Sequence, residues 1–408
     1  MMPSDNQLVL LFVEIVLFAI ALGLLVPISV LFVECIAALF PSRLSQSQAM
    51  APQPRVDVLV PAHNEATGIG ATLKTLLPQL TAQNRLVVIA DNCDDETAAV
   101  ARAVGATVIE RHEPDRRGKG YALDYGLQFI AADPPEVVVV LDADCVVHPG
   151  TIDRLAHLAV ARARPVQATY LLTQSANPTP KEAVSVLAFM VKNLVRPSGL
   201  DRLGLPCLLT GSGMAFPWSV IGLVSLASSN IVEDMQLAVD LAIGGHAPLF
   251  SREAKVTGVL PQQKHAAKSQ RTRWEHGHLQ TLLTQIPRLL EASRQKRFDL
   301  LAIALDLCVP PLSLLVMMWA AAIAGALLVG ALSSAWIPTI VLAIEGLLIS
   351  ISIVGAWVKF GRGNLPLLTL LAVPLYILWK IPLYFAFLVR PQKNWIRTER
   401  DAADSPGP

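Results

Sequence analysis

The chain has 408 residues and a formal net charge of +1; hydrophobic residues make up 53% of it, and its mean hydropathy is +0.49. A charge this close to neutral gives no electrostatic basis for binding nucleic acid, and so apolar an average excludes a purely soluble enzyme. The five cysteines are scattered with no CxxC spacing, which argues against a zinc site and for reduced thiols in a cytosolic domain.

Leu8 to Phe40 is nearly all apolar, interrupted by Glu14, Pro27 and Glu34. It exceeds the roughly 20 residues that span hydrocarbon. Met1 to Gln7 carries no positive charge, and the run is too long for a signal peptide, so residues 1–45 read as a retained anchor. After a Ser/Gln-rich linker, Ser42–Gln53, strand and helix signals alternate. Val56–Val60 is a strand followed by a helical pattern over Ile69–Leu80, and Leu86–Ala90 a strand followed by a helix at Glu96–Val104. Thr107–Glu110 precedes a helix over Gly120–Ala131, and Val137–Leu141 is a fourth strand. Such alternation predicts an α/β domain over residues 46–297, with a parallel sheet covered by helices.

Three further apolar stretches, Phe298–Ala335, Ile337–Val358 and Leu365–Val389, predict a membrane region over 298–390, ahead of a polar tail at 391–408. Pro310-Pro311 breaks the first. The third carries Pro366, Pro374, Lys380 and Pro382, and is compatible with spanning, re-entering or lying flat. Lys and Arg are missing from the amino terminus and the Ser333-Ser334 turn but present in the central domain and the Lys359–Arg362 loop. By the positive-inside rule the amino terminus lies outside and the domain in the cytoplasm. Arg390, Lys393, Arg397 and Arg400 of the tail also belong inside. Four alternating spans allow that only if one carboxy-terminal stretch does not cross.

Three polar clusters fall at strand ends: His63-Asn64-Glu65, Asp91 to Asp95, and Asp142-Ala143-Asp144. Ligands of open α/β sheets sit outside the carboxyl ends of the strands, so these clusters share one rim. Asp142 and Asp144 are close enough to repel, and a hard divalent cation bridged to phosphate relieves that repulsion. Asp91 is suited to accept hydrogen bonds from a nucleobase or ribose, with Asp94 and Asp95 as helix caps. Asn64 and Glu65 are either caps or donor contacts. Lys119, in Arg116-Arg117-Gly118-Lys119-Gly120, precedes a helix whose amino terminus favours phosphate.

Farther on, Gly211-Ser212-Gly213 is either a tight turn or a place where an acceptor sugar approaches the backbone. Glu233-Asp234 opens an amphipathic segment. The macrodipole alone accounts for acids there, and a carboxylate in reach of a hydroxyl is also what a general base requires. Gln270, Arg273 and Trp274 occupy i, i+3 and i+4 of a helical pattern and share one face, offering an amide, a guanidinium for diphosphate and an indole for a sugar. A basic interfacial helix explains Arg271 better than Trp274. His276 and His278, without a further ligand, face solvent or headgroups rather than a metal.

Together, and in this order, these residues resemble the processive-type membrane glycosyltransferases of family 2, which include cellulose, chitin and hyaluronan synthases, exopolysaccharide enzymes and ceramide glucosyltransferases. The likeness covers about Arg55 to Gln280 plus the flanking apolar segments. It implies a GT-A fold and an inverting single displacement from a UDP-linked sugar with Mg²⁺ or Mn²⁺. By the same likeness Asp91 contacts uridine, Asp144 with Asp142 binds the metal, and Asp234 beside Glu233 is the base. Gln270, Arg273 and Trp274 close over the diphosphate, with Asn64, Glu65 and Lys119 as further donor contacts and Gly211, Ser212 and Gly213 on the acceptor side. The implied setting is a bacterial inner membrane, with partner proteins in envelope polysaccharide assembly and a saccharide or lipid-linked acceptor. Single addition to a lipid is the alternative, because the membrane portion is small for a polymer channel. Val232 stands where the family more often has threonine. A transporter is disfavoured by sparse intramembrane charge, and a pseudoenzyme by the intact Asp144, Asp234, Arg273 and Trp274.

Overall fold

The computed structural model describes residues 5–41, 53–175, 178–222, 224, 226–227, 232–259, 264–363 and 365–389, without the side chains of 5–7 and 264–267. The basic tail and most of the predicted linker lie outside the described residues.

Eight strands form one sheet: β1 (Val56–Ala62), β2 (Arg85–Asp91), β3 (Thr107–Arg111), β4 (Val137–Val140), β5 (Cys145–Val147), β6 (Val166–Thr173), β7 (Met214–Pro217) and β8 (Leu249–Val259). Their order is β3-β2-β1-β4-β7-β6-β8-β5. The first four run parallel, as the alternation predicts. Beyond β4 the sheet turns mixed: β7 runs antiparallel to β4 and β6, and β5 antiparallel to β8.

Strands buried on both faces need apolar residues at every position, and these supply them. Val56, Val58 and Val60 face the helix Ile69–Leu76 with Ile69, Leu73 and Leu76. Leu59, Val87 and Ile89 face Ala122 and Leu123 of the helix Lys119–Ile130. Alternate residues of one strand thus build two cores, and the strand ends are held at a common edge.

Three helices, Leu8–Ala38, Leu312–Ser333 and Ile337–Gly361, are long and apolar enough to cross a membrane; the apolar helix Val373–Val389 is shorter. The predicted stretch from Phe298 divides at Val309–Pro311 into Phe298–Cys308 and Leu312–Ser333, because proline removes a donor and blocks the preceding turn. Ala21, Ile28 and Leu31 of the first helix pack with Leu315, Ala322, Ala326, Leu342 and Ile349, and also with Leu187, Met190 and Val195 of the sheet domain. Arg196 pins that junction. Its Nε donates to Glu34 Oε2 at 2.6 Å and its Nη2 to the Asp306 carbonyl at 2.6 Å, with a further bond to the Asp306 carboxylate. Gly199 permits the approach, since a Cβ there would collide with the Glu34 carbonyl.

Candidate active site

The strand ends close into loops through two asparagines in the left-handed region, Asn64 (φ 53) and Asn92 (φ 51), where a short side chain that bonds locally is tolerated. Asn64 Oδ1 accepts from Asp94 N at 2.7 Å, and Asn92 Oδ1 from Glu113 N at 2.8 Å. Asn64 therefore braces the neighbouring loop and is not among the cavity-lining residues, whereas Glu65 and Asp91 are. The Glu65 carbonyl also starts the next helix, accepting from Ile69 N at 2.9 Å. Asp91 is oriented by two donors, Arg111 Nη1 at 2.6 Å and Asn92 Nδ2 at 3.0 Å. The Asp95 carboxylate accepts from Thr97 N, the first residue of the next helix, at 3.0 Å and from Ala66 N at 3.1 Å, while the N-cap position itself is Glu96.

Asp142 and Asp144 occupy the link between β4 and β5. With Cys145 they offer ligand atoms within 4.8 Å of one another. Burial, then Asp144 and Asp142, push the Cys145 thiol well above its ordinary pKa, and a soft sulfur is a poor match for a hard cation held by carboxylates. What is left is a pair of carboxylates, a donor set that fits Mg²⁺ or Mn²⁺.

Lys119, the first residue of its helix, donates to Asp142 Oδ1 and to the Gly211 carbonyl at 2.6 Å. Burial alone would lower its pKa, but Asp142 and Glu233 outweigh burial and hold the ammonium above its usual value. That contact draws the Gly211–Gly213 loop against the carboxylates. Of these three residues only Gly211 lines the cavity. It has φ +91, and a Cβ there would stand 3.4 Å from Asp234 Oδ2. Ser212 is fully buried, its Oγ accepting from Asp142 N at 3.1 Å. Gly213 packs where a Cβ would meet Ala168 Cβ at 2.8 Å. Ser212 and Gly213 thus lie behind Asp142 and not among the cavity-lining residues.

Glu233 and Asp234 form the first turn of the helix Glu233–Ile243, whose N-cap, Val232, makes no side-chain cap. Both carboxylates face the cavity. Burial, opposed by Lys119 and aided by Asp234, raises the Glu233 pKa to about 7. Burial raises that of Asp234 too, opposed first by Lys192 and then by Lys119. Lys192 comes from a π-helical turn, Val191–Val195, a departure from α-geometry that often marks functional sites. It went unnoticed in the sequence, although it is the one charged residue between Glu182 and Arg196. Because Lys192 favours the ionised form of Asp234, Lys192→Met should move the acid limb of the pH–rate profile to higher pH. A profile unchanged from wild type would remove Lys192 from this role.

Gln270, Arg273 and Trp274 line the opposite wall from one face of the helix Lys264–Ser293. Trp274 packs on Phe189 with ring centroids 5.6 Å apart, and Phe189 on Tyr170 at 5.5 Å. Gln270 Oε1 is buried without a hydrogen-bond partner among the described residues. His276 and His278 depart from expectation, with relative exposures of 1% and 3%. His276 Nε2 meets the Leu383 carbonyl at 3.1 Å. Burial, then Lys192 and Arg196, hold the His278 pKa well below its ordinary value. Helix Val373–Val389 folding back over this face covers what sequence periodicity leaves open.

These side chains enclose one cavity of about 360 Å³. It extends past the carboxylates to Leu31, Val309–Ser313 and Tyr376, beside the apolar helices.

Residues 52–277 match the family described as "Glycosyltransferase like family 2". A probable glycosyltransferase of Bacillus subtilis, YdaM, is 25% identical over 271 residues, 62% of each chain. The low-salt glycan biosynthesis hexosyltransferase Agl6 of Haloferax volcanii is 35% identical over 95 residues, 22% of this chain and 21% of that one. The chain thus spans less than two thirds of the length of these curated relatives. Among solved structures, a mannosyltransferase of Pyrobaculum calidifontis, in complex with GDP-Man and Mn²⁺, superposes with a TM-score of 0.55 at 20% identity. That superposition covers 90% of this chain and 99% of the other. At that identity the likeness shows a shared fold, the GT-A sheet.

Proposed function

The chain belongs to glycosyltransferase family 2, and from that premise we propose that it transfers a hexose from a nucleotide-diphosphate donor, UDP-linked, to a saccharide hydroxyl with inversion. The setting is assembly of a bacterial envelope polysaccharide. The observation that carries this reading is the meeting of Asp142, Asp144, Lys119, Glu233, Asp234, Arg273 and Trp274 in one cavity.

Asp91, fixed by Arg111, takes the nucleoside. Asp142 and Asp144 would hold a divalent cation, which would supply Lewis-acid and templating chemistry at the leaving diphosphate. Lys119 and Arg273 stabilise charge that builds on the diphosphate as the glycosidic bond breaks. Asp234 lies beside Gly211 and takes the proton of the attacking hydroxyl. Trp274, seated on Phe189, offers an aromatic face to the sugar. Transfer directly onto a lipid hydroxyl is the second reading, favoured by the extension of the cavity to Val309–Ser313.

On this reading the three long apolar helices cross the inner membrane and Val373–Val389 does not. The Lys359–Arg362 loop and the catalytic domain then share the cytoplasmic side. Nucleotide release by purified protein with Mn²⁺, across a panel of UDP- and GDP-sugars, tests the proposal. Metal-dependent release with one donor is expected, and silence with every donor in the presence of membrane lipids would sink it.

A further inference from the structure

Two polar atoms in the cavity wall lack partners on the Asp234 side. His278 lines the cavity at 3% exposure, and its Nε2 is buried with no hydrogen-bond partner among the described residues. Its other ring nitrogen, Nδ1, donates to the Leu307 carbonyl. Asn193 also lines the cavity at 3% exposure, and its Oδ1 is likewise buried and without a partner among the described residues. Packing brings both residues to the first turn of the helix Glu233–Ile243. Gly277 lies so close to Val232, the N-cap of that helix, that a Cβ on Gly277 would stand 2.6 Å from Val232 Cγ1. The helix Lys264–Ser293 thus meets the Glu233-Asp234 turn at the residue preceding His278. From the other side, the π-helical turn Val191–Val195 supplies Lys192, whose charge acts on both Asp234 and His278, and then Asn193.

The chemistry of these two atoms restricts what they bind. A neutral imidazole whose Nδ1–H is committed to a carbonyl offers only a lone pair at Nε2. Burial, then Lys192 and Arg196, keep the ring neutral. An amide oxygen is an acceptor in every state. Two buried acceptors are costly to leave unpaired, so the ligand that satisfies them brings hydrogen-bond donors. A phosphate, a carboxylate or an ester would set lone pair against lone pair. A hydroxyl brings the proton required. Beside a base that takes the proton of one sugar hydroxyl, the nearest further O–H donors are the flanking hydroxyls of the same sugar.

We propose that His278 and Asn193 determine acceptor specificity, each accepting a hydrogen bond from a hydroxyl that flanks the one deprotonated by Asp234. The site then takes a sugar with free hydroxyls around the point of transfer and rejects one that is deoxygenated or acylated there. This rests on the transferase reading and says which saccharides that same site admits.

The test uses the full chain in nanodiscs with Mn²⁺ and the nucleotide sugar that supports release. Hexyl glycosides of glucose, galactose and mannose serve as acceptors, each beside its monodeoxy analogues. With wild type, removing a flanking hydroxyl from the best glycoside should lower kcat/KM by about ten- to a hundredfold, the usual cost of leaving a buried acceptor unpaired. His278→Phe keeps a ring and removes the lone pair. It should lower kcat/KM for that glycoside by a similar factor and abolish the penalty for one deoxy analogue. Asn193→Leu should do the same for another. Such coupling of a variant to one hydroxyl reports contact, because a purely structural loss multiplies with the deoxy penalty. Deoxy analogues used as well as their parents, penalties that multiply in both variants, or hexanol used as well as any glycoside would each overturn the proposal. Mn²⁺-dependent UDP and GDP binding on the same nanodiscs checks that each variant is folded, and the wild-type series stands without them. Nucleotide binding without transfer to any glycoside overturns the acceptor assignment alone. Failure of wild type to bind either nucleotide overturns the transferase reading on which it stands.

Discussion

Asp234→Asn should lower sugar transfer by about 10²–10⁴-fold, the usual contribution of general-base catalysis, while nucleotide binding persists. The substitution keeps size and hydrogen-bonding capacity and removes the negative charge, and with it the ability to take a proton. Two carboxylates compete for the role, and their surroundings separate them. Besides burial, the first influence on Glu233 is Lys119, the lysine bound to Asp142 of the Asp142–Asp144 pair; for Asp234 it is Lys192, on the side nearer the apolar helices. Gly211, which lacks a side chain, leaves the approach to Asp234 Oδ2 open. On the proposed reading Glu233 then belongs to the donor side and Asp234 to the acceptor side. Losing the negative charge at Asp234 also relieves repulsion among the clustered carboxylates, so Mn²⁺-dependent nucleotide affinity should hold or improve. Single-turnover nucleotide release beside equilibrium nucleotide binding separates the two effects. A variant that kept wild-type turnover would move the base to Glu233.

The parallel half of the sheet was legible because the signal is local: an unbroken Val-rich run such as Val137–Val140 suits a strand buried on both faces. The rim of acids was legible for the same reason, since each cluster follows directly on its strand. The antiparallel β7 was not. It is four residues long, and its place between β4 and β6 is set by partners some 50 to 80 positions away in the chain. Periodicity could assign Ser212 neither to the cavity nor to the wall, because that depends on Asp142 N arriving from a distant strand end. Lys192 was hidden by a π-helical turn, which rotates side chains away from the register that an α-helical reading assumes. His276 was misjudged because a helix more than a hundred positions onward covers it, and His278 because it packs inward toward Leu307 of the helix Phe298–Cys308.

Arg196→Met should destabilise the protein by about 3–5 kcal/mol, the cost of leaving buried charge uncompensated. Arg196 is 6% exposed, and its guanidinium joins Glu34 of the first apolar helix to Asp306 of the helix Phe298–Cys308. Methionine fills much of the same volume but leaves two buried acceptors facing each other, and Glu34 Oε1 already lacks a hydrogen-bond partner among the described residues. The loss falls on the junction between the sheet domain and the apolar helices, since Gly199 brings the backbone following Arg196 against the Glu34 carbonyl. If charge is the cause, a triple variant, Arg196→Met with Glu34→Gln and Asp306→Asn, should recover most of the lost stability, because neutralised partners no longer need a cation. Thermal unfolding in detergent reads both effects. A single variant as stable as wild type would show that the triad contributes little net energy. A triple variant no better than the single one would point instead to lost packing of the arginine stem.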